Sequence, residues 1–181
     1  MKELEFNLLR DMKEKELQKY PDIWTEIEEY KLAVRALERN GYIANEMITE
    51  KGKIELEKHK VDNAVIMAAG YSARCMPLSS VLPKGLFRVK GEILIEREIE
   101  QLREAGIEEI VVITGYLSEK FDYLKDKFHV KLVHNADYDK YNNMSSLYAA
   151  QEYLNNSYVL CSDNYYEENV FHKYVLYPYY S

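Results

Sequence analysis

The 181-residue sequence is poor in several residue types that mark particular protein classes, with two cysteines, four prolines, seven glycines and one tryptophan. Cys75 and Cys161 are far apart and form no CxxC pair, so we expect reduced thiols in a cytoplasmic protein. The histidines show no metal-ligand spacing. There is no run of about 18 apolar residues and no apolar stretch near the first residue, so we expect neither a membrane span nor a signal peptide.

The charge balance excludes a further class of function. The formal net charge is −7, which argues against unspecific binding to nucleic acid or to an anionic membrane. The hydrophobic content of 47% is sufficient for a packed core. The length predicts one or two domains.

Residues 1–60 are rich in Glu, Lys and Leu, and they predict helices. Asn40-Gly41 ends a helix, and the apolar pairs Tyr42-Ile43 and Met47-Ile48 predict a short hairpin. Thr49-Glu50-Lys51-Gly52 then begins another helix. This order resembles the winged-helix domains of MarR-type regulators, so we expect a winged-helix-like domain over 1–60. A small helical cap is the alternative.

DNA binding by this first domain has weak support. Lys31, Arg35 and Arg39 fall near one helix face and are the residues that would contact DNA. The acidic balance opposes that interpretation, because neutralisation of phosphates supplies most non-specific affinity for DNA. A solvated charged face explains the same residues.

Residues 61–181 alternate between strand and helix patterns. The predicted strands are Ala64–Met67, Ile110–Thr114, Val130–His134 and Tyr158–Cys161. The predicted helices are Ile93–Ala105, Ser118–Lys127 with Ser118 as its cap, and Ser145–Leu154. This alternation predicts an α/β fold with a mainly parallel sheet and helices on both faces. Ligands of such sheets bind beyond the carboxyl ends of the strands.

The stretch AVIMAAGYSARCMPLSSVLPKGL, residues 64–86, carries the clearest chemical signal. It has neither the GxGxxG pattern of dinucleotide-binding loops nor the GxxxxGK[ST] pattern of P-loops. A strand runs into small residues that expose backbone N–H groups, and Arg74 and Lys84 follow. Backbone donors with two fixed cations predict a polyphosphate site.

The segment AAGYSARCMPLSSVLPK is similar to the motif AAGxGTRxxPLTxxxPK of sugar-phosphate nucleotidyltransferases. Two positions depart from that motif. Ser72 replaces a glycine, which we expect to crowd the approach of phosphate to the backbone. Ala73 replaces a residue with a hydroxyl donor. We therefore expect a lower affinity for the phosphate groups of the ligand or a lower rate of reaction.

Residues 62–181 further resemble bacterial CTP:phosphocholine cytidylyltransferases, notably in YNNMSSLYAAQEYLNNSYVLCSDNYY. The resemblance implies a Rossmann-like nucleotidyltransferase sheet over 61–181 and Mg²⁺-dependent transfer of CMP from CTP to phosphocholine, giving CDP-choline and pyrophosphate. It implies catalytic roles for Lys84 and Arg74 and a magnesium ligand at Asp163. The implied nucleotide-binding residues are Ala68, Ala69, Gly70, Tyr71, Ser72, Arg74, Lys84, Asn143, Ser145 and Ser146.

The family resemblance also implies a catalytic domain that continues beyond Ser181, with a second metal carboxylate that this chain does not supply. A half-sheet would expose Val175, Leu176 and the last tyrosines, so we expect either homodimer contacts or reduced stability. Three alternatives stay open: a sugar-1-phosphate nucleotidyltransferase, a regulator that senses nucleotide without turnover, and a structural or dimerisation module. Ser72, Ala73 and the missing carboxylate favour the regulator.

Overall fold

The computed structural model describes residues 1–141 and 143–179, and the chain forms two compact units. Residues 1–60 together with 173–179 form the first unit, and 61–172 form the second. The first unit therefore contains a segment from near the end of the chain, beyond its predicted range of 1–60. Asn142, Tyr180 and Ser181 lie outside the described residues.

The first unit consists of helices and one short hairpin. Its elements are α1 (Glu3–Glu14), α2 (Ile23–Glu26), α3 (Glu28–Arg39), β1 (Ile43–Ala44), β2 (Met47–Ile48) and α4 (Glu50–Glu57). Strands β1 and β2 pair antiparallel, and Asn45 and Glu46 between them both have positive φ. The side chain of Thr49 caps α4, because its Oγ1 accepts a hydrogen bond from the N–H of Gly52 at 3.1 Å.

Tyr174 is part of the core of the first unit. It is 1% exposed among Phe6, Leu9, Leu37 and Leu56, and its hydroxyl donates to the Glu57 carboxylate at 2.7 Å.

The prediction that Val175 and Leu176 are exposed is wrong, since both are half-buried and Leu176 packs against the core that contains Tyr174. The N–H of Val175 donates to the carbonyl of His59 at 2.9 Å, which ties this segment to the end of α4. Tyr177 and Tyr179 are exposed, as predicted.

The second unit is built on a four-stranded parallel sheet, which confirms the predicted α/β fold. Its elements are β3 (Asn63–Ala68), β4 (Arg88–Val89), β5 (Glu92–Ile93), α5 (Leu94–Glu104), β6 (Glu109–Thr114), α6 (Tyr123–Phe128), β7 (Lys131–His134), α7 (Asn143–Ala149) and β8 (Ser157–Cys161). The strand order is β7-β6-β3-β8. Strands β4 and β5 form a separate antiparallel pair.

Both faces of the central strands are covered. Five of the six residues of β3 are buried, with no alternation between buried and exposed positions. Such a pattern is typical of a parallel strand that has helices on both sides. Ile95, Ile99 and Leu102 of α5 are each 0% exposed, and their spacing places them on one face of that helix.

Two predicted helices are shorter than their sequence patterns indicated. Residues Ser118–Phe121 form a 3-10 turn before α6, and Leu117 just before it adopts a left-handed conformation with φ of 49°. Ser118 therefore does not cap an α-helix. In the second case α7 ends at Ala149, and Gln151–Tyr153 form another 3-10 turn. In the part of the chain that is described, no helix is long and apolar enough to cross a bilayer.

Val112→Ala is expected to lower the free energy of unfolding by about 1–3 kcal/mol, because removal of buried methyl groups leaves a cavity. Val112 is 0% exposed in β6, whereas Val170 in the same unit is 47% exposed. The matched control Val170→Ala is expected to change stability by less than about 0.5 kcal/mol. Urea unfolding followed by circular dichroism measures both, and equal losses would contradict this assignment of the core.

Candidate active site

The carboxyl ends of the four parallel strands bring several predicted residues to one edge of the sheet. Ala68 ends β3, and Ala69 and Gly70 follow it. Gly115 follows β6, Asn135 follows β7, and Asp163 lies two residues beyond the end of β8. Parallel strands place their ligand sites at this edge.

The loop after β3 has an open, strained backbone. A Cβ added at Gly70 would meet no atom within 4 Å, so the backbone there is accessible. Ser72 adopts the left-handed conformation with φ of 54°, which costs a non-glycine residue about 1–2 kcal/mol. The glycine that the nucleotidyltransferase motif has at this position would relieve that strain.

Lys84 and Asp163 form an ion pair that joins the loop after β3 to the end of β8. The ammonium of Lys84 donates to Oδ2 of Asp163, and the two side chains are 37% and 32% exposed. Gly85 allows the close approach of the two segments, since a Cβ there would lie 2.7 Å from Oγ of Ser162. Two residues that lie 79 positions apart in sequence thus meet in an accessible site.

Arg74 is not part of this ion pair. It belongs to the 3-10 turn Ala73–Cys75 and its side chain is exposed. Among the described residues, no hydrogen bond or ion pair joins Arg74 to Lys84 or Asp163. Its predicted phosphate-binding and catalytic roles therefore stay predictions.

Asn135 organises the predicted residues of α7, although it was not among the predicted nucleotide-binding residues. Its side-chain amide donates to Oγ of Ser145 at 2.9 Å and to Oγ of Ser146 at 3.2 Å. Ser146 is buried, whereas Asn143 is exposed at the start of α7. The hydroxyls of Ser145 and Ser146 thus hold the helix to the end of β7. An asparagine directly after a strand is the signal that could have identified Asn135.

Three tyrosines from three different loops meet beside Gly70. The ring centroids of Tyr71 and Tyr116 are 4.5 Å apart, and those of Tyr116 and Tyr138 are 6.4 Å apart. Gly115 permits this contact, because a Cβ there would lie 2.6 Å from Cβ of Tyr138. Of the three, only Tyr71 was among the predicted nucleotide-binding residues. The rings offer an aromatic surface on which a planar group can stack.

Glu98 is a buried carboxyl group near Asp163 that sequence reasoning also missed. It is 1% exposed, and its two carboxyl oxygens have no hydrogen-bond partner among the described residues. Burial raises the pKa of Glu98 to about 9, and the charge of Asp163 adds to this. Glu98 lies four residues from both Leu94 and Leu102, so its position on the apolar face of α5 was visible in the sequence.

The residues present fit a magnesium ion that arrives with its ligand. Within the described ranges, no group of three or more His, Cys, Asp or Glu side chains is arranged to hold a metal ion. Asp163 supplies one accessible carboxylate. Mg²⁺ is commonly held by one or two carboxylates together with substrate phosphates and waters, rather than by an all-protein cage.

Known proteins resemble this chain mainly over the second unit. The family model of MobA-like NTP transferase domains matches residues 64–163. A choline-phosphate cytidylyltransferase of Streptococcus pneumoniae is 50% identical over 108 residues, which cover 60% of this chain and 47% of that protein. A 2-aminoethylphosphonate cytidylyltransferase of Lancefieldella rimae is 47% identical over 93 residues, which cover 51% of this chain and 38% of that protein.

A solved structure of a cytidylyltransferase also resembles this chain. The CTP:phosphocholine cytidylyltransferase from Streptococcus pneumoniae matches with a TM-score of 0.61 and 49% identity, covering 63% of this chain and 50% of that chain. This chain spans about half the length of the curated relatives it matches.

Glu98→Gln is expected to raise the free energy of unfolding near pH 7 by on the order of 2 kcal/mol. The folded pKa of Glu98 lies near 9, above its ordinary value of 4.5. The stability of the wild type therefore falls as pH rises from 4.5 towards 9, because the buried group must stay protonated or ionise without a partner. Glutamine has no proton to lose.

Urea unfolding between pH 4.5 and pH 8.5 measures this difference. Glu100→Gln is the matched control, because Glu100 is exposed on the same helix. The control is expected to change stability by less than about 0.5 kcal/mol. Parallel stability curves for the wild type and Glu98→Gln would contradict the prediction.

Proposed function

The chain belongs to the family of MobA-like NTP transferase domains, and we propose that its second unit takes part in transfer of CMP from CTP to phosphocholine. A phosphate oxygen of phosphocholine attacks the α-phosphorus of CTP, and the bond from that phosphorus to the β-phosphate oxygen breaks. The products are CDP-choline and pyrophosphate. The similarity to relatives with this printed activity supports the proposal.

The Lys84–Asp163 ion pair is the observation that carries this proposal. Without ligand, the ammonium and the carboxylate neutralise each other. With a magnesium–triphosphate complex, Lys84 would bind phosphate oxygens and Asp163 would hold the cation. Mg²⁺ supplies positive charge that offsets repulsion between the two phosphate groups. Alignment of two anions is a problem of position and charge, and a protein nucleophile is not needed.

The other predicted residues have supporting roles in this proposal. The backbone from Ala68 to Ser72 offers N–H donors, and Arg74 on the same loop can swing towards the triphosphate. Tyr71 lies in contact with Tyr116 and provides a stacking surface for the cytosine ring. Asn143 at the exposed start of α7 is the residue of that helix best placed to contact the nucleoside.

For the first unit we propose a winged-helix-like fold. Its support is the order of three helices, a two-stranded hairpin and a fourth helix capped by Thr49. Nζ of Lys31, one of the residues predicted to contact DNA, lies 3.7 Å from Oε2 of Glu28, so the charge of this lysine is partly neutralised. A gel-shift titration at low and at physiological salt tests DNA binding, which must weaken with salt if phosphates are contacted.

Thermal shift with CTP, UTP, dTTP and ATP, each with Mg²⁺, tests the nucleotide site. CTP-selective stabilisation supports the proposal, and no shift with any nucleotide overturns it. Pyrophosphate release is then measured with CTP and phosphocholine, 2-aminoethylphosphonate or a sugar 1-phosphate. Release with another acceptor would change the assigned substrate, and CTP binding without release would favour a nucleotide-sensing regulator.

Lys84→Ala and Asp163→Asn are each expected to lower the rate of pyrophosphate release by about 100-fold or more. Lys84→Ala is also expected to weaken binding of CTP, as measured by calorimetry. Because the pair is partly exposed, each variant is expected to keep its free energy of unfolding within about 1 kcal/mol of the wild type.

Lys125→Ala is the matched control, because Lys125 forms an exposed ion pair with Asp122 at 2.8 Å in the same unit. The control is expected to retain the wild-type rate. Unchanged rates in both Lys84→Ala and Asp163→Asn would remove these residues from the site.

A further inference from the structure

The segment that follows Asp163 is held by helix α5. Residues 164–171 contain neither helix nor strand. The guanidinium of Arg97 binds the backbone of this segment. Its Nε donates to the carbonyl of Tyr166 at 2.9 Å, and its Nη2 donates to the carbonyl of Glu167 at 2.7 Å. Its Cζ also lies 4.8 Å from the centroid of the Tyr165 ring.

Glu92 completes a closed network around Arg97. Its carboxylate accepts hydrogen bonds from Nη1 of Arg97 at 2.9 Å and 3.0 Å. The hydroxyl of Tyr165 donates to the same carboxylate at 3.1 Å. The Arg97 side chain is only 18% exposed, whereas that of Glu92 is 45% exposed, so the network is shielded from water on the arginine side.

A second residue of α5 extends this attachment. The side-chain amide of Gln101 donates to the carbonyl of Tyr166 at 3.1 Å, and Asn169 donates to the carbonyl of Gln101 at 2.7 Å. Arg97 and Gln101 lie one helical turn apart and therefore face the segment together. A stretch without ladder hydrogen bonds is thus fixed to a rigid helix.

We propose that Arg97 is a positioning residue that fixes residues 165–167 and thereby places the Asp163 carboxylate for a magnesium–CTP complex. This inference rests on the proposed function. Tyr165 is two residues from Asp163, so a shift of its backbone moves the carboxylate. A misplacement of about 1 Å in such a site can cost on the order of 100-fold in rate.

Only arginine satisfies this geometry. Its planar group donates in three directions and stacks on Tyr165 at the same time, whereas a lysine ammonium is a compact charge without a face. Arg97→Lys should therefore behave like Arg97→Gln rather than like the wild type.

Arg103→Gln is the matched control. Arg103 lies on the same helix, donates to the carbonyl of Phe128, and has its Cζ 5.9 Å from the centroid of the Phe128 ring. It resembles Arg97 in chemistry, yet it holds a different segment.

The experiment combines two readouts on the 181-residue chain. Hydrogen exchange of the amides of Asn164 and Phe171, which donate to the carbonyl of Cys161 and to Oδ1 of Asn169 at the two ends of the segment, reports on the segment itself and needs no activity. Calorimetry gives the affinity for CTP with Mg²⁺ and with a chelator.

In Arg97→Gln and Arg97→Lys we expect exchange of these amides to rise about 10-fold. We expect CTP affinity with Mg²⁺ to fall by about 10-fold, and affinity with chelator to stay within about 2-fold. Arg103→Gln is expected to match the wild type in both.

Amide exchange at the wild-type rate in both Arg97 variants would contradict the claim that Arg97 fixes the segment. Raised exchange with unchanged Mg²⁺-dependent affinity would overturn the role towards Asp163. A wild type that binds no CTP would overturn the proposed function, and with it the ligand part of this inference. Binding of CTP by the wild type is measured first, so failure of the proposed function is distinguished from failure of the role of Arg97.

Discussion

The ion pair between Lys84 and Asp163 is the contact on which the candidate site depends. It joins the loop after β3 to the turn after β8, and it requires the close approach that Gly85 allows against Ser162. Partial exposure keeps the pair weak enough to be divided by a ligand that carries both signs of charge. A magnesium–triphosphate complex is such a ligand, because its cation suits the carboxylate and its oxygens suit the ammonium.

The surroundings of this pair limit how many charges the site can hold. Glu98 is buried near Asp163, and its raised pKa keeps it protonated near neutral pH. Two ionised carboxylates beside one ammonium would repel each other in a region of low dielectric constant. The same burial raises the pKa of the Cys161 thiol, with Asp163 and Glu98 adding to the shift, so this cysteine is a poor nucleophile. The proposed chemistry is therefore assigned to the accessible Lys84–Asp163 pair.

Local patterns predicted a large part of the second unit. The apolar runs gave the four parallel strands, since β-branched residues bounded by small residues and turns have few alternatives. The segment AAGYSARCMPLSSVLPK identified the loop after β3, and the left-handed Ser72 explains why relatives of this motif use glycine there. The partial burial of Val175 and Leu176 could not be predicted from local patterns. It depends on the position of Tyr174 in the core of the first unit.

The sequence by itself determined the α/β class and the small residues of the loop after β3, because both follow from short-range periodicity and from backbone requirements of single residues. Only the tertiary structure decided which distant side chains meet: Lys84 with Asp163, Asn135 with Ser145 and Ser146, and Arg97 with the segment after β8. The physical reason is that none of these contacts joins neighbours of one helix or strand, since the partners lie between 10 and 79 positions apart along the chain. Their distances are set by strand order and helix packing, which leave no periodic trace in the sequence.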